Sequence, residues 1–368
     1  MESARQKRDA ELSRLIQRVR KREFPYEPRE TRNRTRDWAA YTDAQIHEIH
    51  DTLLNIRRGV DAVPDAPRTR SPDGGPPFTY DAKDLAKTLL MQQYFEASNR
   101  VAQGYALLFS EKLGLARVPN YKAIERSYED PDVRRILDDV FELTQPDIHP
   151  GETVSLDGTG LPRTGKANWE SEKASKQDAE AKRARFDGSV VMMHAETFLA
   201  TAHCTLIVGF QSESPTFQGL LDKTAQAQGG RLDGVNVVAD AGFPSRANCT
   251  FTASLGATPY LFPKTKFTLA PKGSQPWRAM LDGFLDNTQV WLTVYHTRSG
   301  SEAFFSRHKR RHPTPLRKII DQRRRTEKHA RFLVDNLTQV GYLHHQDLHS
   351  FAWAKNSADR VMSQARRL

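Results

Sequence analysis

Apolar positions recur at helical spacing through the first part of the chain, and near Glu152 they give way to short β-type runs. Leu12, Ile16 and Val19 mark one brief helical stripe in a segment crowded with Arg, Lys and Glu, which reads as a basic, partly helical arm. Thr42 and Gln45 have capping-box form, and Ile46, Ile49, Leu53 and Ile56 then follow at helical spacing up to Gly59. Pro and Gly dominate the stretch from 61 to 80, which reads as a linker. Leu85, Leu89, Phe95, Val101, Tyr105 and Leu108 continue the helical pattern, and Asp130–Pro131 supplies the N-cap and first position of a further helix.

From Glu152 onward, ETVSLDG, SVVMMHAETF, ATAHCTLIVGF, GVNVVADAGF and TPYLFPK are rich in β-branched and aromatic residues and bounded by Gly or Pro. A helical segment near Thr216–Gln228 separates the third run from the fourth. Strands, helix, strand and later helices predict an α/β class with a mixed sheet. The expected organisation is a basic arm and helix over 1–60, a linker over 61–80 and a helical segment over 81–150 whose pattern fits either a DNA-binding helix-turn-helix or a small helical bundle. A catalytic domain over 151–312 and a basic helical segment over 313–368 complete it.

Composition narrows the partners. The 368 residues carry 55 Lys and Arg against 45 Asp and Glu, a net charge of +10, which favours a polyanion. Twelve Lys and Arg against three Asp and Glu fall between Arg298 and Arg331, the expected phosphate-tracking surface. Cys204 and Cys249 match no zinc or redox spacing, so a reducing cytosol is the expected home. The opening MESARQKRDAELSRL lacks the apolar core of a secretion signal, and no apolar run approaches a membrane span, so no membrane partner is expected.

Candidate chemistry lies at three places. Two apolar runs end in aspartate followed closely by glycine, at Asp157-Gly158 and Asp240-Ala241-Gly242. Carboxyl ends of strands are where catalytic groups gather in sheets with helical crossovers, although either Asp-Gly alone is more often a turn. The third place is Tyr295 to Arg311, where Arg298, Glu302 and Lys309 fall within roughly 40° of one another on a helix, leaving Phe304 and Phe305 to anchor it to the sheet. By itself this is also the pattern of an ordinary surface ion pair. His194, His203, His344, His345 and His349 have no carboxylate or thiol at metal-binding spacing and read as structural or exposed.

Tyr295, two residues, Arg298, three residues, Glu302, six residues and Lys309 resemble the Y-(2)-R-(3)-E-(6)-K signature of insertion-sequence DDE transposases. Asp157-Gly-Thr and Asp240-Ala-Gly-Phe resemble that family's two aspartate blocks, in the family's order. The resemblance covers about Thr153 to Arg311. It implies an RNase H-like mixed sheet flanked by helices, with a helical N-terminal domain. It also implies that Asp157, Asp240 and Glu302 are catalytic and bind two Mg2+ ions, for which Mn2+ substitutes. Tyr295, Arg298, Lys309, Arg310 and Arg311 are then expected to bind double-stranded DNA, with a homodimer holding paired transposon ends in the prokaryotic cytosol or nucleoid. Two readings compete with strand transfer: a nuclease that stops at hydrolysis, and a decayed transposase that only binds DNA. Ala241, Gly300 and Ser301 depart from the family's commonest pattern, and the polar stretch 161–185 suits a loop that orders on DNA.

Overall fold

The computed structural model describes residues 4–25, 37–68, 78–164, 186–206 and 213–347. Nearly all of the polar stretch 161–185, and His349, lie outside them.

Five strands form one sheet: β1 (Thr153–Pro162), β2 (Phe186–His194), β3 (Ala200–Leu206), β4 (Asn236–Ala239) and β5 (Thr258–Leu261). Their order is β3-β2-β1-β4-β5. The first three pair antiparallel, while β1–β4 and β4–β5 are parallel. Between β3 and β4 the chain crosses the sheet through a helix at Phe217–Ala227, as parallel pairing requires. The five apolar runs thus became the five strands, and a mixed sheet flanked by helices is compatible with an RNase H-like core.

Period-two alternation along β2 divides the interior. Val190 and Met192 join one core with Val154, Leu156, Val237, Phe217, Leu281 and Phe284; Val191 and Met193 join a second. The second core is built by α2 (Trp38–Ala62), α3 (Ala82–Tyr94), α7 (Pro131–Leu143), α12 (Ser299–Arg311) and α13 (Asp321–Asp347). Between α3 and α7 lie α4 (Asn99–Leu108), α5 (Ser110–Leu113) and α6 (Tyr121–Ser127). The remaining helices are α1 (Ala4–Arg20), α8 (Phe217–Ala227), α9 (Arg246–Ser254), α10 (Gln275–Asp286) and α11 (Thr288–Tyr295).

Several elements differ from expectation for identifiable reasons. Helix α1 is no solvated arm: Leu12 and Ile16 are fully buried in the first core, and Asp9 accepts the Leu269 backbone N–H at 2.7 Å. Helix α2 starts earlier than the capping-box pattern suggests, because Asp37 accepts from the Ala40 N–H and caps it. Its Leu53, Ile56 and Val60 are buried while Ile46 and Ile49 stay exposed. Gly59 does not end α2; a Cβ there would lie 3.0 Å from Val140 Cγ1, so the glycine permits close approach of α7.

The basic stretch after Arg298 is also less external than its composition implies. Lys328 and Arg324 pair with buried Asp187 on β2, each at 3.0 Å. Lys318 and Arg323 pair with Glu125, and Arg331 with Glu327. Burial pushes the Lys328 ammonium down to about 8 despite the attraction of Asp187. Lys309, Arg310, Arg317 and Arg325 are the members of the stretch that remain exposed.

Candidate active site

Asp157 occupies the middle of β1 rather than its end, because pairing with β2 continues to Pro162↔Phe186. Pairing with β4 does stop there. The last parallel pair is Leu156↔Ala239, so Asp157 and Asp240 are the next residue on each of two neighbouring strands. Each aspartate is braced locally: Asp157 Oδ1 accepts from Gly158 N–H at 2.9 Å and Asp240 Oδ1 from Gly242 N–H at 2.7 Å.

Helix α12 brings in the third carboxylate. Phe304 and Phe305 are buried against Val191 and Met193, as their position off the charged stripe predicts, and they lay the start of α12 along the Asp157 face of the sheet. Arg298 then joins the parts: one Nη lies 3.0 Å from Asp157 Oδ2 and the other 3.0 Å from Glu302 Oε1. Glu302 is two-thirds exposed whereas Asp157 is mostly covered.

Burial pushes the Asp157 carboxyl above its ordinary range and the charge of Asp240 adds to the rise, opposed by Arg298, the Gly158 N–H and the Ser301 hydroxyl. Burial would lower the Arg298 guanidinium, but Tyr295, Asp157, Glu302 and Asp240 more than offset that and hold it up.

Tyr295 ends α11 and stacks on Trp291, with ring centroids 5.4 Å apart. Burial raises its phenol to about 12. Tyr295 and Arg298 also interact with each other. Lys309 and Arg310 project to solvent from the far end of α12. Arg311 is turned inward, 3.2 Å from fully buried Asp335. It therefore stands apart from the other expected phosphate-binding cations.

The Ser301 hydroxyl lies 3.0 Å from Asp157 Oδ2 and 2.8 Å from the Arg298 carbonyl, a contact that the sequence pattern did not signal. Glu213 sits over Gly158 so closely that a Cβ there would be 2.2 Å from its Oε1. Gly158 pairs with Val190 and Asp157 with Val191, so this carboxylate lies on the opposite face of β1 from the Asp157 side chain.

The carboxylates of Asp157, Asp240 and Glu302 do not form a closed cage. Among the described residues, His/Cys/Asp/Glu groups with donor atoms all within 4.8 Å of one another are Asp43–His47–His345, His308–His312–Asp335 and Glu152–His194–Glu196. His194 and His345 thus have carboxylate neighbours through space, which spacing in the sequence does not show. His345 has Asp43 at 2.8 Å and Asp51 at 2.7 Å, reached from a helix nearly 300 positions away. His203 meets His329 at 2.7 Å, and His344 is exposed.

No family model and no curated protein matches the chain. Among solved structures it is similar to the piggyBac transposase synaptic complex with hairpin DNA, at 12% identity over 87% of this chain and 86% of that one. The TM-score of that pairing is 0.33, a likeness too distant to identify the chain.

Proposed function

We propose that the chain is a DNA transposase, which hydrolyses a phosphodiester at the ends of its element and joins the freed 3′-hydroxyl to target DNA. The observation that carries this reading is the side-by-side placement of Asp157 and Asp240, with Arg298 linking Asp157 to Glu302. Supporting it, Arg298 pairs with both Asp157 and Glu302, and Asp240 directly follows the strand beside Asp157.

The donor set suits hard divalent cations. Three carboxylates against one guanidinium leave a formal charge of −2, which a divalent cation would offset. Asp157, Asp240 and Glu302 would hold a pair of Mg2+ ions, or Mn2+ in their place, which polarises the scissile phosphate and lowers the pKa of attacking water. The chain's own residues supply the rest. Arg298 neutralises Asp157 and Glu302 until DNA arrives, then offers its fork to a phosphate, a role that suits planar bidentate geometry. Tyr295 keeps that guanidinium in place, Ser301 braces Asp157, and Lys309 with Arg310 tracks the DNA backbone. Two copies of the chain on paired ends complete the reading.

The test is cleavage of a supercoiled plasmid carrying the DNA that flanks the gene, with Mg2+ and separately Mn2+. Wild type should nick or cut it, and Asp240→Asn and Glu302→Gln should each lose at least a hundredfold in rate while still retarding the DNA on a gel. Binding without cleavage by wild type in either ion would overturn the enzymatic reading in favour of a DNA-binding protein.

A further inference from the structure

At the start of β1, on the side remote from its Pro162 end, a second polar cluster surrounds His194. Its side chain is 1% exposed, and Nε2 lies 2.8 Å from Glu196 Oε2 and 3.3 Å from Glu152 Oε2. Nε2 nevertheless has no aligned hydrogen-bond partner. The other ring nitrogen, Nδ1, lies 3.1 Å from the Thr197 hydroxyl, and Glu152 Oε2 is fixed by the His149 backbone N–H at 2.7 Å.

When Nδ1–H donates to Thr197, Nε2 presents a bare lone pair to two carboxylates, an arrangement that requires positive charge between them. We propose that Glu152, His194 and Glu196 bind a zinc-class divalent cation, separate from the carboxylates around Arg298.

Ligand chemistry and spacing support this. One imidazole nitrogen and two carboxylate oxygens suit Zn2+ rather than Mg2+ or Ca2+. Tetrahedral bonds of about 2.0–2.1 Å place ligand atoms roughly 3.3 Å apart, close to the separations here. A histidine ligand whose second nitrogen is hydrogen-bonded is the usual arrangement around a metal. Glu152 and Glu196 are 28% and 39% exposed, so an ion can enter and water can fill the fourth position.

The ion would act on the turn between β2 and β3. Arg307 of α12 donates to the Phe198 carbonyl at 2.7 Å. The Phe198 ring and the Ala195 carbonyl lie 3.5 and 3.7 Å from the point where a Gly300 Cβ would sit. Fixing this turn therefore buttresses the beginning of the helix that carries Glu302.

The experiment titrates chelator-treated full-length protein with Co2+ and reads visible d–d absorption. Wild type should show an intense low-coordination band, displaced by Zn2+ but not by a tenfold excess of Mg2+. It should bind one more equivalent than His194→Gln or Glu196→Gln, while Asp157→Asn keeps the band. Glu196 is part-exposed, so that variant stays interpretable if His194→Gln does not fold, with circular dichroism as the check. No band in wild type, or equal stoichiometry in wild type and folded Glu196→Gln, would overturn the site.

Discussion

The Arg298 guanidinium meets Asp157 Oδ2 at 3.0 Å, joining residues 141 positions apart. This one pair does not fully compensate Asp157, whose carboxyl stays above the ordinary range through burial and the nearby charge of Asp240. A carboxyl raised by folding binds more protons folded than unfolded, so the protein loses stability as pH rises from the unfolded to the folded value.

Asp157→Asn is therefore expected to stabilise the metal-free protein near neutral pH, since it removes a charge that is costly to keep there. A gain of 1 kcal/mol would raise the melting temperature by about 2 °C in a chain of this size. Thermal unfolding with chelator at pH 7 checks this, and a lower melting temperature would show that the ion pair outweighs desolvation.

Lys309 and Arg310 should behave differently from their neighbour Arg311. Replacing both exposed cations with alanine should leave melting unchanged and flatten the salt dependence of DNA binding by about two ions. Arg311→Ala removes a partner of buried Asp335 and should destabilise by on the order of 3 kcal/mol. Binding isotherms at several salt concentrations, run beside thermal melts, separate the two outcomes.

Acid should weaken the fold well before the carboxylates titrate. Burial pushes His312 down to about 4 even though Asp335 opposes the shift, and burial also lowers His203 and His329. A histidine kept neutral by folding costs stability as pH falls from about 6.5 to its folded value, because only the unfolded chain takes up the proton. His312 alone accounts for about 3 kcal/mol over that window. Urea midpoints at pH 7 and pH 4.5 should differ accordingly, and His312→Gln should narrow the gap.

Ile16→Ala should cost about 2–5 kcal/mol as a core truncation, whereas Ile46→Ala should change stability by less than about 0.5 kcal/mol. Both isoleucines sit on helices at apolar spacing, but Ile16 is fully buried and Ile46 is 73% exposed. Equal effects would mean that α1 is not docked in solution.

What could be read in advance followed local periodicity. Runs of β-branched and aromatic residues bounded by Gly or Pro located all five strands, and Phe304 and Phe305 off the charged stripe correctly pointed to how α12 is anchored. The helical stripe at Leu12, Ile16 and Val19 could not say what it packs against, since its partners include residues near Leu281. Charge was misread for a similar reason. Arg324 and Lys328 look external in a basic run, and only the fold brings Asp187 to them across more than 130 positions. Ser301 reaches Asp157 through space, across 144 positions, so spacing alone gave no sign of the contact.

The docking of α1 bears on how the chain folds during synthesis. Leu12 and Ile16 are made about 250 residues ahead of Leu269, Trp277 and Leu281, which complete the core they belong to. At about 5–20 residues per second, translation leaves that apolar face without its partners for tens of seconds. During that interval the helix is exposed to chaperones and proteases, and synonymous changes that slow the ribosome before residue 290 should lower soluble yield without altering the finished protein.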